Sequence, residues 1–213
     1  MIGFGQDNLR GLVHVVDDDV TLADGLSDRL KASGFDVQNH RSPAAFVQAR
    51  REAEACCLLL SIEFPTASGL DFQEILPAVG IHLPVILMTR HPDINWSVRG
   101  MKAGAVDFLL KPLREAEVLS SVKMALQKDR ERQAEVARRR KADATLARLT
   151  ARERQVMGHV VRGLMNKQIA GVLGLSEITV KLHRGSMMRK MAVRNVPDLV
   201  RAVEFSGASV LTH

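Results

Sequence analysis

Leu12-Val13-His14-Val15-Val16 is followed at once by Asp17-Asp18-Asp19, so a β-prone, largely apolar run ends abruptly on three carboxylates. A run this short reads as a strand, and the same pattern returns at Asp36 to Asn39, Cys56 to Leu60, Pro84 to Met88 and Asp107 to Leu110. Between these runs lie segments of helical periodicity near residues 19–33, 43–53, 69–77 and 93–103, and from 114 onward. Gly34 and Gly104 sit where helix C-caps belong, and Ser42-Pro43 has the order of an N-cap and a first-turn proline. Five βα units predict an α/β fold, a doubly wound parallel (βα)5 sheet with helices on both faces, over residues 1–127. The adjacent Cys56 and Cys57 would form a strained disulfide and run straight into Leu58-Leu59-Leu60, so they read as buried strand residues rather than a redox or metal pair.

The whole chain has 213 residues, 46% of them hydrophobic, which is enough apolar mass for one or two cored domains and excludes a disordered polyelectrolyte. No stretch approaches the ~20 apolar residues of a membrane span. Met1 to Arg10 carries Asp7 and lacks the basic-then-apolar order of a signal peptide, so the expectation is a cytoplasmic protein with no membrane partner. Net charge is +6, and it is unevenly spread: residues 1–113 hold 10 basic and 14 acidic side chains, residues 114–213 hold 20 and 10. A mildly acidic half joined to a strongly basic one suggests a nucleic-acid-binding part under the control of the other, although a solvated basic face gives the same count.

Gln127 to Thr145 holds seven Lys or Arg, four Asp or Glu and one large aliphatic residue, Val136, with no Gly or Pro. Good helix formers without an apolar stripe predict a charged helical linker, residues 128–145, continuing the helix that buries Val118, Val122 and Leu126. Residues 146–213 then read as an all-α unit of four helices. Thr150 and Glu153 form a capping box ahead of Val156, Met157, Val160, Val161 and Leu164; Asn166 can cap a second helix ending at Gly174; Ser176 can cap a third running to about Met191; Pro197-Asp198 opens a fourth. The short turn Gly174-Leu175-Ser176 joins helices two and three as in a helix-turn-helix. On the third helix Val180, Met187 and Met191 share one side, with His183 beside them as a packing residue before a base reader. Lys181, Arg184 and Met188 share another side, with Thr179 at the capped start able to meet a phosphate. Lys181 and Arg184 fit either a groove-facing surface or ordinary surface charge, and the proximity of Lys167, Arg189, Lys190 and Arg194 favours the groove.

Two resemblances follow from these residues. Leu149-Thr150-Ala-Arg-Glu153-Arg-Gln-Val156, Gly163-Leu164-Met165-Asn166-Lys167-Gln168-Ile169-Ala170, Thr179-Val180-Lys181-Leu182-His183-Arg184 and Arg189-Lys190-Met191 resemble the LuxR-type helix-turn-helix. That resemblance implies a four-helix module that binds double-stranded DNA, usually as a homodimer on paired half-sites. It brings Asn166, Lys167, Thr179, Lys181, His183, Arg184, Met188 and Lys190 to the DNA side. Val13-His-Val-Val-Asp17-Asp18-Asp19, Pro84-Val-Ile-Leu-Met-Thr89 and Met101-Lys-Ala-Gly-Ala-Val-Asp107-Phe108-Leu-Leu-Lys111-Pro112 resemble the receiver domain of response regulators. Together the halves look like a FixJ/NarL-type regulator. The receiver resemblance implies that Asp17 and Asp18 match a magnesium-binding acidic pair, Thr89 a switch hydroxyl, Phe108 a rotating aromatic and Lys111 a phosphate-sensing amine.

The phosphoacceptor aspartate of such receivers ends the third strand, and Ser61 stands there instead. A serine hydroxyl needs a general base and would give an inert ester, and the loss of a carboxylate also leaves the magnesium site incomplete. Arg90 follows Thr89 where a small residue is usual, and its guanidinium could pair with Asp17, Asp18 or Glu63; Glu63 could return a carboxylate to the pocket, or both could be outward loop charges. The expectation is a transcription regulator without catalytic role and without a resident cofactor, its degenerate receiver accepting no aspartyl phosphate, active by default or controlled by a partner or ligand. Competing readings are a conventional two-component regulator phosphorylated at Ser61, Asp17 or Asp18 by a kinase, and a protein-interaction module with vestigial DNA binding.

Overall fold

A computed structural model of the chain describes residues 11–50, 53 and 55–206. The readings of Met1 to Arg10 and of the far end of the second helix at residues 51–52 lie outside those residues. Five strands, β1 (Leu12–Val16), β2 (Asp36–His40), β3 (Cys56–Ser61), β4 (Val85–Thr89) and β5 (Asp107–Leu110), form one sheet in the order β2-β1-β3-β4-β5, every pair parallel. Helices α1 (Val20–Ala32), α2 (Pro43–Ala49), α3 (Gly69–Ile75) and α4 (Ile94–Lys102) make the crossovers, and α5 (Glu115–Ala147) follows β5. The boundaries fall within a few residues of those expected, with β3 and β4 each reaching one residue further to take in Ser61 and Thr89.

Alternation along the buried strands divides the core in two. Val13, Val15, Cys57, Leu59, Ile86 and Met88 pack with α1 and α5 through Leu26, Leu30, Val118 and Val122. Val16, Leu58, Leu60 and Leu87 pack on the other face with Phe46 of α2 and Leu70 of α3. Full burial on both faces is why these strands read as continuous apolar runs. Chain order reverses between β1 and β3, so the crevice beyond their C-terminal ends is the usual ligand position of an open α/β sheet.

Helix α5 continues through the charged segment without a break, as its composition predicts. The chain divides into two compact units, residues 1–133 and 134–213. Asp129 explains why the first unit extends past the apolar stripe: its carboxylate is buried and accepts from Cys56 N–H at 2.9 Å, from the Arg132 guanidinium and from the Gln133 amide. Composition placed this residue in a solvated linker, whereas it satisfies the first amide of β3.

In the second unit α6 (Ala151–Val161), α7 (Asn166–Leu173), α8 (Glu177–Lys190) and α9 (Val196–Ser206) surround a core of Leu149, Val156, Val160, Ile169, Val180, Met187 and Leu199. Gly174 takes a left-handed conformation (φ +64°) that ends α7 and lets α8 start within a few residues. Asn166 does not cap α7. Met165 holds the cap position with its N–H bonded to the Gln168 side chain, and Asn166 is the first helical residue. Replacing Asp129 with alanine takes away the buried carboxylate that accepts from the Cys56 amide and should lower the unfolding free energy of the first unit by about 1–3 kcal/mol. Urea titration followed through Trp96, the single tryptophan, reads that unit alone.

Candidate functional site

Parallel strands deliver their last residues to one sheet edge, and there Asp17, Ser61, Thr89 and Lys111 come together. Lys111 lies just past β5 beside a cis Lys111–Pro112 peptide, and its ammonium reaches Asp17 Oδ2 at 2.6 Å and Ser61 Oγ at 3.1 Å. Asp17 Oδ1 accepts from Asp19 N–H, and the Ser61 hydroxyl donates to the Glu63 carbonyl at 3.3 Å. Both charges of the Lys111–Asp17 pair are almost sealed, with side-chain exposures of 4% and 0%.

Glu63 turns inward. Its Oε1 accepts from the Thr89 hydroxyl and from Arg90 N–H, each at 2.8 Å, while Oε2 is buried with no hydrogen-bond partner. Burial opposes its charge, but the Arg90 amide, the Thr89 hydroxyl, its own backbone N–H and the nearby Lys111 charge together hold its pKa below the ordinary carboxylate value. Arg90 enters through its backbone. Its guanidinium pairs with Asp19 at 3.4 Å, a residue outside the expected set of Asp17, Asp18 and Glu63, and at 54% exposure that pair adds little. Asp18 is exposed, and Phe108 is half-buried against the α2–α3 side of the core.

Magnesium wants several oxygen ligands in near-octahedral order. Here Asp17 is engaged by Lys111 and an amide, Ser61 offers a hydroxyl, and among the described residues no group of three His, Cys, Asp or Glu side chains could hold a metal ion. The donor set does not fit that ion.

On α8, Lys181 and Arg189 are exposed, as is Lys167 on α7. Arg184 donates to Asn166 Oδ1 at 2.9 Å, tying α8 to the start of α7. Ser176 caps the helix through Thr179 N–H, and the two hydroxyls lie 2.8 Å apart. His183 is half-buried, and Met188 packs against the helical core. Lys190 binds Glu153 at 2.7 Å instead of standing free. Two residues escaped the sequence reading: Ile178 and Leu182, 74% and 69% exposed, make an apolar i, i+4 pair on the face next to Lys181. Helical spacing from the buried Val180 was the signal that could have found them.

An α/β unit with an acidic pocket at its strand ends, followed by a helix-turn-helix unit, defines a two-part regulator. Residues 13–123 match the response regulator receiver domain and residues 147–203 match the bacterial regulatory proteins of the luxR family. Nodulation protein W of Bradyrhizobium diazoefficiens is 40% identical over 214 residues, covering 97% of this chain and 91% of its own. Transcriptional regulatory protein FixJ of Azorhizobium caulinodans is 38% identical over 197 residues, covering 92% and 93%. The structure of the response regulator StyR superposes with a TM-score of 0.83 at 41% identity, over 91% of this chain and 98% of that one. The chain belongs to the response regulators that carry a receiver and a LuxR-type DNA-binding domain, and it is a transcriptional regulator.

Glu153 gives this unit a pH signature. Lys190, Ser186 and the Thr150 amide hold its pKa at about 2, below the ordinary 4.5. A depressed native pKa contributes stability above the unfolded value and loses it as pH falls, so the helical unit should weaken between about pH 4.5 and 2. Glu153→Gln should be less stable at neutral pH, and its disadvantage should shrink across that window in chemical denaturation series.

Proposed function

We propose that the protein regulates transcription from the cytoplasm with a degenerate receiver that accepts no aspartyl phosphate, so that it acts by default or under the control of a regulatory protein, a sensor kinase bound without phosphotransfer, or a ligand. The observation that carries this is Ser61, whose hydroxyl at the end of β3 is held between the Lys111 ammonium and the Glu63 carbonyl. An aspartate there would offer phosphorus a carboxylate nucleophile and give a labile acyl phosphate; a buried hydroxyl that donates to a carbonyl and accepts from an ammonium is bonded instead to groups that do not act as general bases. The poor fit of the acidic pocket to magnesium supports the same reading.

As output, the four-helix unit binds double-stranded DNA as a homodimer, with α8 entering the major groove. Exposed Lys181 and Lys167 suit phosphate contact, while Arg184, oriented by Asn166, suits a base edge. Ile94, Val98, Met101 and Leu110 are exposed apolar residues on α4 and β5, a surface suited to pairing two copies.

Incubation of the full chain with acetyl phosphate and Mg²⁺ should leave its intact mass unchanged, and a stoichiometric adduct overturns the reading of the receiver. For the DNA unit, the probe is a fragment selected from genomic DNA, titrated by fluorescence anisotropy at several salt concentrations. Lys181→Ala should weaken binding to all sequences and flatten the salt slope by about 1. Arg184→Ala should cost about 1–3 kcal/mol on the selected site and much less on unrelated DNA. Unchanged binding by both variants removes α8 from the groove.

A further inference from the structure

Glu63 sits two residues beyond β3 in the loop to α3, a place where a charge ordinarily faces water. Its loop is folded back on itself: Gly69 N–H donates to the Ile62 carbonyl at 2.8 Å, Glu63 and Ser68 form an isolated antiparallel bridge, and a Cβ at Gly69 would collide with the Ser61 carbonyl. Ile62 N–H in turn donates to the Met88 carbonyl at 2.8 Å, which sets the loop against the end of β4. The carboxylate is therefore delivered to the Thr89–Arg90 corner by backbone, not by a freely rotating side chain alone.

What it meets there is a convergent set of donors. The Thr89 hydroxyl and the Arg90 amide point at one oxygen from neighbouring residues, and the Lys111 charge lies close enough to favour an anion. Oε2, sealed from solvent without a partner, shows that the carboxylate stays although one of its oxygens gains nothing. A buried unpaired oxygen is unfavourable, so the two charge-assisted bonds to Oε1 must outweigh it. The Thr89 hydroxyl also links to His91, accepting from its N–H at 3.1 Å, so the same atoms hold the turn between β4 and α4.

We propose that the Glu63 carboxylate is itself the resident oxyanion of the Thr89 hydroxyl and the Arg90 amide, so that it excludes external carboxylate or phosphate from these donors and fixes the β4–α4 turn. This deepens the reading of the receiver as one that takes no phosphate and rests on it, by stating what fills the place instead. Removing the side chain empties the donors without removing them, so an added anion can take them up.

The test is amide hydrogen exchange across residues 89–93 in the full-length chain. Glu63→Ala should exchange at Arg90 roughly 10- to 100-fold faster than the parent, the range expected for losing a hydrogen bond to a charged acceptor. Acetate or inorganic phosphate should restore protection in Glu63→Ala beyond chloride at equal ionic strength and should change nothing in the parent. Glu63→Gln, nearly the same shape with a neutral acceptor, should fall between the two and covers the case in which the alanine variant fails to fold. The proposal is overturned if Arg90 exchanges alike in parent and Glu63→Ala, if acetate and phosphate do no more than chloride, or if Glu63→Gln is as protected as the parent. A phosphodonor adduct on the parent chain would instead remove the reading of the receiver, so the two failures are distinguishable.

Discussion

A lysine ammonium and an aspartate carboxylate, each almost without access to water, meet at 2.6 Å between the end of β5 and the end of β1. Neither charge could sit there alone, because an unpaired buried ion is strongly unfavourable, and even a buried pair gains little unless its remaining hydrogen-bonding capacity is satisfied. Here it is satisfied in part by Asp19 N–H on the Asp17 side and by the Ser61 hydroxyl on the Lys111 side. The pair therefore depends on three strand ends at once, and the parallel sheet supplies them. With β1 and β3 adjacent and β4 and β5 following in order, every strand leaves its last residue at the same edge.

That arrangement leaves a pocket whose charges are answered from within the chain. Lys111 is held by Asp17, Glu63 by Thr89 and the Arg90 amide, and the Arg90 guanidinium by Asp19. A ligand can shift a protein between states only by binding them unequally. A site already satisfied by its own side chains offers an external anion little to gain in any state, so on the proposed reading control passes to surfaces away from the pocket, such as the apolar residues exposed on α4 and β5.

The boundaries between what the sequence foretold and what it hid follow the range of the interactions. Strand ends are local, so the resemblance to receivers, laid on strands placed by periodicity, was enough to bring Asp17, Ser61, Thr89 and Lys111 into one pocket. The Thr150–Glu153 capping box is equally local, a spacing of three residues, and both of its hydrogen bonds are present. The direction of Glu63 was not legible, because it depends on the backbone of its loop and on Gly69 meeting Ser61. Lys190 looked like one more basic residue for DNA; that its partner is Glu153, in a different helix, follows from how α6 and α8 pack. Asp129 was lost among linker charges for the same reason, its partner Cys56 being 73 positions away.

Once these pairs are removed, the basic half of the chain looks different. Lys190 is tied to Glu153 and Arg184 is oriented by Asn166, while Lys167, Lys181, Arg189 and Arg194 stand exposed around α8. On the proposed reading these cations meet phosphates, contacts that give affinity and register but no sequence preference. Beside them Ile178 and Leu182 present apolar surface to water on a helix whose Val180, Met187 and Met188 pack against the core, an arrangement that offers the isolated unit no stability. Against a major groove the same two side chains would meet thymine methyl groups. On the proposed reading, charge on this helix serves attraction, while Ile178, Leu182 and an Arg184 held by Asn166 serve discrimination.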